Sequence, residues 1–279
     1  MSGAELADVI KRSYRKTLYK DRKVTYITKK DITDAKLEAI IGIKNDSEKT
    51  DYELKKTRAH EAGHAINQIV LNHVFKDEAQ KSKQPIQTLD FIVNESRGDA
   101  SGLTMMKPTE NHRMTIESLL SHLAVNYGGY SIEEKLFDCH TDGVSSDLKN
   151  STELILQATT EWGLGSKTKY IGCDPSGVTF ELFKPDIKND IIHYSNTGME
   201  IADMITEFTK PFIEEYVDKL TSGPLANADI ITGEKFESMF NDWLIKNKKQ
   251  DEFKELSQKI QDKMKNFKEE MNSTQKSVA

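Results

Sequence analysis

"RAHEAGHAIN", residues Arg58 to Asn67, sets two histidines four apart with a glutamate directly after the first. On an α-helix residues i and i+4 share a face, so His60 and His64 can aim ring nitrogens at one point. Neutral imidazole suits zinc, and two ligands one turn apart leave room for a third ligand and a water. Glu61 projects beside them, placed to take that water's proton and hand it to a leaving amine. The alternative is an ordinary amphipathic helix that happens to carry histidines. Gly63 sharpens the question, because a mid-helix glycine costs about 1 kcal/mol relative to alanine. Ala62 and Gly63 together would let another segment approach closely behind the site.

Such a helix needs a core to stand on. At 279 residues the chain is long enough for one large domain or two small ones. With 37% apolar and 30% charged residues it reads as a soluble, rather polar globular protein. No apolar run approaches the roughly 18 residues of a membrane-spanning helix. The N-terminal "MSGAELADVIKRSYRK" lacks a contiguous apolar segment, so no signal peptide is expected. The net charge of −6, from well-mixed Lys and Glu, argues against nucleic-acid binding. Cys139 and Cys173 form neither a disulfide framework nor a C-x-x-C pair, which suggests free thiols in a reducing, cytoplasmic-side compartment.

The pattern predicts a mainly α fold with a small β element. Leu6, Val9, Ile10 and Tyr14 give a first helix behind a Ser2 start, and "KVTYIT" is a short β-prone run. "KKDITDAKLEAIIG" reads as a second helix, with Gly42 where a C′ glycine would sit. Polar "KNDSEKTD" places a boundary near residue 48. The histidine helix is expected from about Tyr52 to Val74, with "KDEAQKSKQP" as a loop. "IQTLDFIVN" and "ASGLTMMK" are the convincing strand pair. From residue 112 onward the pattern is helical: "MTIESLLSHLAVNYGG", "SIEEKLF", "DLKNSTELILQATTEWG", then two long helices after residue 195. Phe253, Leu256, Ile260, Met264, Phe267 and Met271 fall at spacings of three and four. They fit a short coiled coil or docking helix and fit equally a terminal helix lying on its own domain. The closing "NSTQKSVA" looks frayed.

The histidine pair needs a third ligand. An H-E-x-x-H-x-x-G-x-x-H continuation would require Gly and His where the chain has Asn67 and Val70. Glu78 and Glu95 fall in loop and turn positions. A better candidate is Asp147 in "TDGVSSDLKNST", opening a helix that Ser145 or Ser146 could cap. Read alone, Asp147 is better explained as a first-turn acid favoured by the helix dipole.

Taken together, the motifs resemble the FtsH-like family of ATP-dependent zinc metalloproteases. "RAHEAGHAI" is similar to that family's ligand helix and "ASGLTMMKP" to the strand after it. "NYGGYSIEE" resembles its G-G-R-x-A-E-E segment, "TDGVSSDL" its T-x-G-A-S-N-D-L, and "EWGLG" its E-Y-G-M-S. They occur in the family's order from about residue 50 to 244. The resemblance implies one zinc ion held by His60, His64 and Asp147, with Glu61 as general base. Glu133 would orient a ligand, although a plain helix-surface acid is the alternative. The strand residues Gly102, Leu103, Thr104 and Met105 would bind unfolded polypeptide as an added strand. "SGAELADVI" and "ITKKDITDAKLEAIIG" resemble helices of the family's ATPase lid, so residues 1–48 are expected to be a partial lid. Residues 49–245 would be the zinc peptidase and 246–279 a charged amphipathic helix and tail. Family peptidase domains form a six-fold ring, which implies a homo-hexamer or assembly with ATPase domains, and membrane association for a full-length member.

Three departures stand out. Tyr130 replaces the family's arginine, putting a local salt bridge or packing contact in doubt. The loop near residues 76–85 is longer. No G-x-x-x-x-G-K-[ST] is present, and "GLGSKT" at 163–168 only imitates its tail. Two readings compete with a zinc endopeptidase. One is a non-catalytic scaffold or regulatory subunit assembling with intact relatives; the other is a stand-alone zinc protease with a glutamate ligand.

Overall fold

The computed structural model describes residues 3–20, 26–44, 49–82, 87–98, 100–107, 113–174, 176–226 and 228–273. Two helices, α1 (Gly3–Lys20) and α2 (Lys29–Ile41), pair at the N-terminus. α2 starts with a capping box between Thr28 and Asp31 and ends at Gly42, whose φ of 94° is glycine's territory. Of the first helix's apolar positions only Val9 is buried; Leu6, Ile10 and Tyr14 are about half exposed. α1 packs chiefly on α2, and Leu6, Ile10 and Tyr14 on the rest of that face are left exposed. Tyr26 to Thr28 form no strand, and the earlier part of "KVTYIT" lies outside the described residues, as do Ser2, residues 45–48 of the boundary and 274–279 of the tail.

The core is built on α3 (Asp51–Ser82), α4 (Ile116–Phe137) and α6 (Val178–Thr221), which pack on one another. α3 carries on well past Val74, replacing the first part of the expected loop. Lys, Glu, Ala and Gln in "KDEAQKS" are helix formers, and no breaker intervenes before Pro85. The two segments expected around "NYGG" and "SIEEKLF" are one helix, α4. α6 begins at Val178, far ahead of residue 195, and runs through Pro185 and Pro211. The carbonyls these prolines leave without a helical partner belong to the exposed Glu181 and Glu207, so solvent can satisfy them. After α6 come α7 (Gly233–Lys246) and α8 (Gln250–Ser273), so three helices stand where two were expected.

α8 settles the terminal ambiguity. Leu256, Ile260, Met264, Phe267 and Met271 are buried in the main core, where α8 packs against α3, α4 and α6. A heptad-like spacing only states that one stripe must be covered; here the chain covers its own stripe.

The sheet has three antiparallel strands in the order β2-β1-β3: β1 (Leu89–Val93), β2 (Leu103–Met106) and β3 (Ile230–Thr232). The third strand adds to the expected pair and takes only three residues of "ADIITG". Leu89, Ile92 and Ile231 face the main core, while Phe91 and Val93 pack with Leu37 of α2, Leu103, Met105 and Ile230 on the opposite side. Ion pairs Lys36–Asp90 (3.0 Å), Lys44–Asp229 (3.0 Å) and Arg97–Glu95 tie the same region together. Among the described residues β2 is therefore an edge strand, with a fixed back and no strand paired to its outer edge. Among the described residues no helix is long and apolar enough to cross a membrane.

Candidate metal centre

α3 crosses α4 at glycines. A Cβ at Gly63 would sit 2.3 Å from the Gly128 carbonyl oxygen, and one at Gly128 would sit 2.5 Å from the Gly63 oxygen. This close approach is what the expensive mid-helix glycine permits. Gly129 serves the site in another way, since a Cβ there would lie 2.5–2.7 Å from atoms of the His60 ring. "NYGG" thus seats one helix against another and makes room for an imidazole. Gly63→Ala should accordingly destabilise the chain. Helix propensity alone would favour alanine by about 1 kcal/mol, but the methyl meets backbone, and overpacking of that kind costs about 1–3 kcal/mol or more. Thermal unfolding measures the balance, and a melting temperature at or above the parent's would contradict the crossing.

His60 and His64 present their Nε2 atoms to the same point, 3.0 Å apart. Asp147 Oδ2 stands 3.3 Å from each. The three form a group able to hold a metal. The outer nitrogens set the tautomers. His60 Nδ1 lies 2.7 Å from Glu133 Oε1, and His64 Nδ1 lies 2.7 Å from the Val125 carbonyl. Both partners accept, so each Nδ1 carries the proton in the neutral ring and each Nε2 offers a lone pair. Three acceptors then converge on one point, an arrangement that asks for a cation. For zinc–nitrogen and zinc–oxygen bonds of about 2.0–2.1 Å a tetrahedral edge is about 3.3 Å, close to the spacings found.

The local field favours a positive charge at that point, a proton on His60 in the absence of a metal and the cation itself in its presence. Burial alone would raise the Asp147 carboxyl, yet the His60 and His64 imidazoles hold it far below the usual carboxylate range. Burial disfavours charge on His60, but Asp147 and Glu133 push that imidazole up to about 10. Glu133 is buried rather than a surface acid. Burial would raise it, but His60 and the Thr141 amide, which donates to its Oε2 at 2.7 Å, hold it down.

Asp147 sits in the first turn of α5 (Ser145–Thr160), entered through a 3-10 turn at Asp142–Val144. The helix has no side-chain cap; Ser145 and Ser146 lie inside its first turn, and the 3-10 turn orients the aspartate in their stead. Glu61 is buried against β2, where the Thr104 hydroxyl reaches its Oε2 at 2.7 Å. The expected strand residues Leu103, Thr104 and Met105 are in β2, and Gly102 directly precedes it. A cleft of about 750 Å³ joins Gly102, Leu103 and Thr104 to His60, Glu61 and Asp147. Tyr130, in the arginine position, supplies a packing contact by stacking on His140 with ring centroids 4.6 Å apart. "GLGSKT" is a loop pinned by Asp190, which accepts from the Ser166 amide at 2.9 Å and hydroxyl at 2.6 Å. Cys139 is exposed, Cys173 buried, and both are free.

Sequence reasoning missed Val125, Thr141 and the Thr104 side-chain contact. Two of these act through main-chain atoms, which no residue identity reports.

Comparison with known proteins points the same way. The model of peptidase family M41 matches residues 48–222. A Sphaerobacter thermophilus protein named ATP-dependent zinc metalloprotease FtsH 2 is 31% identical over 245 residues, covering 86% of this chain and 35% of its own length. A Salinibacter ruber protein of the same name is 29% identical over 194 residues, covering 68% and 26%. The Caulobacter vibrioides ATP-dependent zinc metalloprotease FtsH is 33% identical over 166 residues, covering 58% and 24%. The chain thus spans about a quarter to a third of the length of these relatives. A matched region that contains the whole metal cluster and most of the helical core decides the assignment: the chain belongs to peptidase family M41.

Proposed function

We propose that the chain is a zinc-dependent endopeptidase that hydrolyses unfolded polypeptide. The convergence of His60 Nε2, His64 Nε2 and Asp147 Oδ2 beside a buried glutamate is the observation that carries this reading. A zinc ion held by these three residues would supply Lewis acidity, lowering the pKa of a water towards neutrality and polarising a carbonyl. Beside that site Glu61 would act as the general base, accepting a proton from the attacking water and returning it to the departing amine. Glu133 and the Val125 carbonyl keep the two imidazoles in the ligating tautomer. The free edge of β2 aligns an extended chain along Gly102 to Met105, main chain to main chain, which suits low sequence specificity.

In this reading residues 1–48 are the end of an ATPase lid, 49–245 the peptidase and 246–279 an amphipathic terminal helix. The relatives are named ATP-dependent, which supports partners that supply ATPase domains; a homo-hexamer is the form that the family resemblance implies, and the two free thiols suit a reducing compartment. A non-catalytic scaffold would have no use for four acidic and imidazole groups brought together in a cleft.

Substrate form tests the proposal. A folded protein offers no free extended segment to pair with β2. The zinc-loaded chain should therefore degrade a permanently unfolded variant while sparing its stably folded parent, and added ATP and magnesium should not change either rate. Equal degradation of both forms, or no degradation of either, would refute the reading.

A further inference from the structure

The strand expected to align substrate also walls in the catalytic glutamate. Gly102 and Thr104 point towards α3, on the face opposite Leu103 and Met105, which pack with Phe91, Val93 and Leu37. A Cβ at Gly102 would lie 2.8 Å from Glu61 Cγ and 3.0 Å from its Oε1, so the carboxylate occupies room that only glycine leaves. Two residues on, the Thr104 hydroxyl is 2.7 Å from Glu61 Oε2 and 2.8 Å from the Glu61 carbonyl oxygen. The nearby Lys49, close enough to feel the charge of Glu61, is turned to the Ser101 carbonyl at 3.2 Å.

We propose that Thr104 is a positioning residue for Glu61, its hydroxyl holding the carboxylate in the one rotamer from which the proton is taken. The inference rests on Glu61 acting as the base. A glutamate has three rotatable bonds, and without an anchor its carboxylate samples several staggered positions. A hydroxyl donating to an ionised carboxylate makes a strong, charge-assisted bond. The anchor's own backbone is clamped, because the back of β2 is buried against β1 and α2. Base and substrate strand consequently share one rigid frame, and an added chain paired with β2 lies at a set distance from the group that takes the proton.

Thr104→Val keeps volume and β-branching while deleting the hydroxyl, and Thr104→Ser keeps the hydroxyl. In crystals of the zinc-loaded full chain, Thr104→Val should show the Glu61 carboxylate displaced or spread over several rotamers, with His60, His64 and Asp147 in place. Thr104→Ser should match the parent. A Glu61 carboxylate unmoved in Thr104→Val overturns the proposal. On a fluorogenic extended peptide, Thr104→Val should lose kcat by on the order of 10- to 100-fold with KM within about twofold, and serine should restore kcat to within about threefold of the parent. Equal losses in both variants, or a loss confined to KM, also overturn it. Glu61→Gln run in parallel separates the two claims. Full activity in Thr104→Val beside an inactive Glu61→Gln rejects only the role of Thr104, whereas an active Glu61→Gln rejects Glu61 as the base. Should melting curves show that Thr104→Val does not fold, Thr104→Ala deletes the same hydroxyl and takes its place in every arm.

Discussion

A Glu61→Gln chain should lose casein hydrolysis by on the order of 10²- to 10⁴-fold, the range that general acid–base catalysis supplies, while still binding one zinc ion. The two halves of this expectation have separate causes. Glutamine is nearly isosteric, and its amide oxygen can accept the Thr104 hydroxyl as Oε2 does now, so the side chain keeps its place. It cannot accept a proton from water, so the chemical step fails. Zinc stays because Glu61 is not one of the three converging ligand atoms. Measuring metal content and hydrolysis on the same preparation checks both. Activity within a few-fold of the parent would mean that another group serves as base, and zinc loss would mean that Glu61 supports the metal cluster after all.

How much of this centre is legible in the sequence depends on whether the relevant distance is set within one element. His60, Glu61 and His64 are legible because helix geometry alone fixes their relation. Gly63 is legible as a cost in search of a reason, but its counterpart Gly128 is not, since nothing in "NYGG" states which helix it meets. Asp147 is ambiguous from its own surroundings: a first-turn acid looks the same with or without a metal partner. Only the order of motifs, a resemblance, chooses between them.

The misjudged elements fail for related reasons. The end of α3 falls later than expected because a polar, Lys-rich run reads as loop, although its Lys, Glu, Ala and Gln propagate a helix well. β3 has too few residues to show a period, and its partner β1 is remote in sequence. α8 carries the right buried positions without naming their destination. In each case the local preference is readable and the tertiary partner is not.

Asp147→Ala should weaken zinc binding by more than about 100-fold while leaving the helical fold intact. Removing outer partners of metal ligands already lowers affinity by about 10- to 100-fold, and in the proposed centre Asp147 binds the metal directly, which its 3.3 Å distance from both imidazole nitrogens supports. Neither of the two glutamates beside the cluster can replace it without rearrangement. Glu133 is committed to His60 Nδ1 and to the Thr141 amide, and Glu61 is committed to Thr104. The fold should persist because Asp147 is partly exposed in the first turn of α5, whose core contacts come from Ser151, Ile155 and Ala158 further along. Competition against a chromophoric chelator near neutral pH gives the affinity, circular dichroism gives the helix content, and Glu61→Gln serves as the metal-retaining control. Unchanged affinity and stoichiometry would remove Asp147 from the centre. Loss of helix content together with zinc would instead show that the metal cluster holds the α3–α4–α5 arrangement together, so that binding and folding are one equilibrium.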